Sequence, residues 1–147
     1  MPVWSKMAPA LLVVMLGYDG AVAADSIAVT GVWMRPSIGA TGSSALYLSL
    51  LNAGPADDTL LSVTTDAAVQ SQLHMTESDG GVVGMRAVAT LPLPVGKTIA
   101  LAPKGDHVML MGLTRSLKAG DHVAVELRFK IHAPMTADAI VSMTPPQ

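Results

Sequence analysis

Cysteine is absent from the 147 residues. That excludes disulfide scaffolds, thiolate zinc sites, iron–sulfur clusters, thiol nucleophiles and cysteine-linked lipid anchors. It also excludes blue-copper electron transfer, whose copper needs a cysteine thiolate. Charge is scarce, at 14% of residues against about 25% in an average soluble domain. The net charge is −2, so no basic field exists to hold nucleic acid or an anionic membrane surface. Aromatics make up only 3% of the chain. No apolar run reaches the roughly 18 residues that a membrane-spanning helix needs, and long segments of helical period are missing. Methionine is plentiful by contrast. There are 10, twice the total of Trp, Tyr and Phe.

The first 24 residues read as a secretory signal peptide. Lys6 supplies the positive start, residues 8–16 an apolar core, and Ala21-Val22-Ala23-Ala24 a small-residue cleavage site. Cleavage there leaves one domain, residues 25–147, ending in a short tail, Thr144-Pro145-Pro146-Gln147. The mature protein is then expected in the periplasm, with no stable membrane insertion once the signal is removed.

That domain reads as about nine short strands. Apolar or alternating runs span 26–34, 45–52, 60–65, 68–76, 82–88, 98–101, 107–113, 122–130 and 138–144. Turn signals separate them, among them Asn52-Ala53-Gly54-Pro55, Ser78-Asp79-Gly80-Gly81 and Pro92 to Gly96. The pattern predicts an antiparallel β-sandwich or barrel. Val123, Val125, Leu127 and Phe129 alternate with Ala124, Glu126, Arg128 and Lys130, as in a strand with one buried face. Trp33, Tyr47 and Phe129 are expected in the core.

Soft donors gather in the middle of the chain. Residues 74–111 hold two of the four His and four of the seven Met of the mature chain. Strand alternation puts His107, Met109 and Met111 on one face. It puts Gln70, Gln72 and His74 on one face of the 68–76 strand, with Val69, Leu73 and Met75 opposite. The Ser78–Gly81 turn would fold Val82–Val88 back so that Met85 nears His74. Thioethers favour Cu(I), and imidazole accepts copper and zinc alike. Calcium would want clustered oxygens, and the acidic residues here are scattered. Methionine is equally a core gap-filler, so this pattern alone leaves a core stripe and a metal site both open. No G-x-S-x-G or H-E-x-x-H motif points to an enzyme.

The spacing His74(Met75)-x10-Met85-x21-His107-x-Met109 resembles the signature of the PCu(A)C periplasmic copper chaperones. Other segments are similar to the family's flanking motifs: Trp33-Met34-Arg35, Tyr47 with Asn52 and Asp58, Gly84-Met85-Arg86, and Met109-Leu110-Met111-Gly112-Leu113 followed by Leu117-Lys118-Ala119-Gly120-Asp121. The likeness covers residues 27–130. It implies a cupredoxin-like β-sandwich and one exposed Cu(I) held by His74, Met85, His107 and Met109. It also implies delivery to a copper-accepting protein, such as the CuA subunit of cytochrome c oxidase or a thiol-bearing copper chaperone. Copper storage or detoxification is the alternative use of the same ligands, and a metal-free structural sandwich the alternative to both. Some members carry a longer His/Met-rich tail. Here it is reduced to His132, Met135 and Met143, a weak candidate for Cu(II). His122 is expected to face solvent. Met111 is expected to form an apolar floor beneath the site, with Gly112 ending its strand. Lys104-Gly105-Asp106 departs from the family's usual residues before the second His.

Overall fold

The computed structural model describes residues 26–37, 39 and 42–147. The proposed signal peptide lies outside them. Among the described residues every regular element is a strand. They are β1 (Ile27–Met34), β2 (Ser43–Asn52), β3 (Asp58–Thr64), β4 (Ala68–Asp79), β5 (Val82–Val88), β6 (Leu91–Leu93), β7 (Thr98–Leu101), β8 (His107–Leu113), β9 (His122–Phe129) and β10 (Met135–Val141). The strand beyond the nine expected is β6, a Leu-Pro-Leu segment whose proline reads as a turn. It survives at the end of the sheet order, where Pro92 has no second neighbour to supply with a hydrogen bond.

The sheet runs β5-β4-β8-β2-β1-β10-β9-β3-β6, with β7 paired to β2. Every pairing is antiparallel except β1 with β10. The sheet curls until β3 meets β4, where the Ser71 hydroxyl donates to the Val63 carbonyl. The enclosed core takes the expected face of β9 (Val123, Val125, Leu127, Phe129) and Leu46, Leu48 and Leu50 from β2. Leu46, Leu50, Leu60, Leu110 and Leu127 are fully buried, each stabilising by about 1.5–3 kcal/mol relative to exposure.

The β4–β5 hairpin is the element that matters most for the site. Asp79 pairs with Val82, so the loop is the two residues Gly80 and Gly81. Both have positive φ, 57° and 86°, as a type I′ turn demands and as glycine permits. β4 runs on to Asp79, past the start of β8 at His107. Residues 76–87 are consequently exposed on both faces.

Two expectations need correction. Val69 does not join Leu73 and Met75 against the core. It is 82% exposed, because it lies over Gly112, which has no side chain to cover it. Gly112 does not end its strand. It sits inside β8 with φ +64°, and a Cβ there would come within 3.2 Å of the Val69 Cβ. Trp33 and Tyr47 are buried, as expected. β2 is covered on both faces, and Tyr47 lies on the face away from Leu46 and Leu48.

Candidate metal centre

Register decides what the three strands β5, β4 and β8 present together. His74 stands directly opposite His107, Gln72 opposite Met109, and Gln70 opposite Met111. Directly opposite residues share a face, with Cβ atoms about 4.5–5.5 Å apart. The two imidazole centroids are 5.3 Å apart. Across the hairpin His74 faces Ala87 and Thr76 faces Met85. Met85 is thus a diagonal neighbour of His74 on the same face, a span of about 7–8 Å that a flexible thioether chain can cross. The structure therefore brings all four sequence-expected residues, His74, Met85, His107 and Met109, to one face. His74, His107 and Met109 are half-buried and Met85 is exposed.

Hydrogen bonds orient the donors. Gly105 carbonyl lies 3.1 Å from His107 Nδ1. With Nδ1–H donating there, Nε2 keeps its lone pair for a ligand. His74 Nε2 lies 3.2 Å from Gln72 Oε1. The Thr76 hydroxyl reaches the Met85 sulfur at 3.9 Å. Behind His107 stands a row of rings. Tyr47 lies 6.5 Å from it and Trp33 4.7 Å from Tyr47, centroid to centroid. This aromatic wall closes the site on the β2 side and leaves the β5 side open. Sequence reasoning puts Gln72 on the face of His74 without giving it a role, and it does not foresee the wall. Only the W-x-R and Tyr motifs signal the rings.

The remaining candidates fall elsewhere. Met75 is half-buried and packs against the core, on the face opposite His74. Met111 shares the site's face, two residues beyond Met109, and is half-buried. His122 is exposed and pairs with Asp138 at 2.5 Å. His132, Met135 and Met143 do not assemble. The His132 ring contacts Asp58 through Nδ1 and Ser26 through Nε2, so both nitrogens are occupied. Met135 opens β10 and Met143 lies past its far end, about 26 Å away along an extended chain.

Among the described residues no three His, Asp or Glu side chains are grouped to hold a metal ion. A cleft of about 380 Å³ between β3, β4 and β5, lined by Leu61, Val63, Ser71, Leu73 and Val88 among others, has no His or Met in its lining.

Comparison with known proteins agrees with this frame. The family described as "Putative lipoprotein LpqE-like" matches residues 27–141. The chain belongs to the LpqE-like family. "Putative lipoprotein Lxx21020" of Leifsonia xyli subsp. xyli is 36% identical over 107 residues, 72% of this chain and 63% of that protein. The chain thus spans less than two thirds of this curated relative. Among solved structures, the copper-bound PCuAC domain from PmoF2 superposes with a TM-score of 0.68 at 22% identity. That match covers 80% of this chain and 92% of the other. The solution structure of the Cu(I) form of DR1885 from Deinococcus radiodurans superposes with a TM-score of 0.63 at 31% identity, over 82% of this chain and 83% of the other. The LpqE-like chain therefore has the cupredoxin-like all-β fold of PCuAC domains.

Proposed function

We propose that this LpqE-like protein is an extracytoplasmic Cu(I) carrier. It holds one Cu(I) between His74, Met85, His107 and Met109 and passes it to an acceptor protein. The observation that carries the reading is the register: His74 opposite His107, Met109 beside the pair, and Met85 diagonal to it on one open face. Two neutral thioethers and two imidazoles suit a soft monovalent ion. The 31% identity to DR1885, whose Cu(I) form is a solved structure, supports the same cargo.

The chemistry also suits hand-over. A site without thiolate holds Cu(I) less strongly than a cysteine-bearing acceptor would. Met85, 49% exposed on the outermost strand, is the donor that an acceptor meets first. The CuA subunit of an oxidase or a thiol-bearing copper chaperone is such an acceptor. Carriage needs no turnover, so the protein is not an enzyme. The N-terminal signal peptide would place it in the periplasm. Among the described residues no helix is long and apolar enough to cross a membrane.

The test is titration of the mature protein with Cu(I) against a competing chelator. One equivalent should bind, and X-ray absorption should show both sulfur and nitrogen scatterers. Nitrogen alone, or unchanged affinity when Met85 and Met109 are both leucine, refutes the site.

A further inference from the structure

The β4–β8 ladder stops at the His74–His107 pair, because β8 begins at His107. The rest of β4 and the β5 residues opposite it project beyond β8. Met85 is on this projecting part. One bond fastens it to the body beside the site: the Thr76 amide donates to Asp106 Oδ1 at 2.7 Å. Asp106 is itself well held. Its carbonyl accepts from the Ala102 amide at 3.0 Å, and the Gly105 amide donates to the Ala102 carbonyl at 3.0 Å. Lys104 adopts φ +66° to close this turn, and the Gly105 carbonyl faces His107 Nδ1.

We infer that Asp106 is a positioning residue for the copper site. It ties the hairpin that carries Met85 to the turn that aims His107. The inference rests on the copper reading above. Thr76 is the link. It is the register partner of Met85 and lies two residues beyond His74 on the same face. Gripping its amide fixes Met85 relative to both histidines, where a free hairpin would sweep Met85 across a range of separations. A pre-set donor avoids the ordering cost that a mobile one incurs on binding. The carboxylate charge also lies beside the cation, so charge and geometry must be separated experimentally.

Asp106→Asn keeps an acceptor oxygen and removes the charge. Asp106→Ala removes both. If Asp106 positions the hairpin, Asp106→Ala weakens Cu(I) at least tenfold and Asp106→Asn stays within about threefold of wild type. In the metal-free protein, hydrogen exchange of the Thr76 amide should rise at least tenfold in Asp106→Ala, with the β9 amides unchanged as the control for folding. Two results overturn the inference: unaltered Thr76 exchange in Asp106→Ala, or Asp106→Asn as weak for copper as Asp106→Ala, which assigns the effect to charge. A wild type that binds no Cu(I) refutes the copper reading instead, and the Thr76 exchange then still decides whether the tie exists.

Discussion

Asp58 offers a test of the scaffold that needs no metal. Its side chain is fully buried at the start of β3. Oδ1 accepts from the amides of Thr59 and Ile131, at 2.7 and 2.9 Å. Oδ2 accepts from the His132 amide at 3.0 Å and contacts the His132 ring. The carboxylate thereby fastens the β9–β10 turn to β3. Burial by itself raises the pKa. The His132 ring and the three amides outweigh it and lower the pKa from 3.8 to about 2. At about 1.4 kcal/mol per pKa unit, ionisation of Asp58 contributes roughly 2.5 kcal/mol of stability. Because the folded pKa is the depressed one, that contribution is complete above pH 4 and is lost as pH falls from about 4 to about 2. Asp58→Asn removes the charge and turns an amide nitrogen toward amide donors. At pH 7 it should cost about 2–3 kcal/mol, a urea midpoint about 0.7–3 M lower for an m-value of about 1–3 kcal/mol/M. Denaturation of both proteins from pH 7 down to pH 2.5 should show the gap closing below pH 4. A gap that stays constant over that range refutes the reasoning.

Other outcomes follow from the same geometry. Met109→Leu should lower Cu(I) affinity by more than tenfold in chelator competition, about 1.4 kcal/mol or more. Met75→Leu and Met111→Leu should not, and an equal loss in Met75→Leu would mean that the register around His74 is wrong. Leu110→Ala, at a fully buried position, should cost about 2–5 kcal/mol in chemical denaturation. Gly112→Ala should cost at least about 1 kcal/mol in the same assay, since it places a Cβ at φ +64° and within 3.2 Å of Val69. Intact mass of the exported protein should begin at Ala24 or Asp25; recovery of the full-length chain from the periplasm would refute the signal peptide.

The strands were legible where alternation or paired glycines spoke clearly. β5, β7 and β8 have the expected bounds, and Gly80-Gly81 located the hairpin. β10 begins three residues earlier than expected, because its limits depend on pairing with β9 rather than on its own apolar content. The parallel contact of β1 with β10 has no local signal at all. For the site, period-two alternation placed His107 with Met109 and set Met75 opposite His74. It could not show that His74 lands directly opposite His107, since register between strands joined by a long excursion is settled by the whole sheet. Asp106 and Gln72 have a place in the sequence reading but no role, for a simpler reason. A polar residue in a turn or on an outward face looks the same in sequence whether or not it holds something.

The place of β10 has a consequence for how the chain comes to be folded. It lies between β1 and β9, so the last of the ten strands is the one that joins the first to the ninth. Without it the hydrogen-bonded order breaks into β5-β4-β8-β2-β1 and β9-β3-β6. The first piece carries His74, Met85, His107 and Met109, and the second carries much of the core, including Leu60, Val123, Val125 and Leu127. The sheet therefore stays open until β10 has taken its place between β1 and β9. Closure then pairs strands more than 100 residues apart, the kind of long-range contact that slows folding. Until that moment the face bearing His74, Met85, His107 and Met109 belongs to an open sheet, complete in its own pairings but without the strands that close the core behind it.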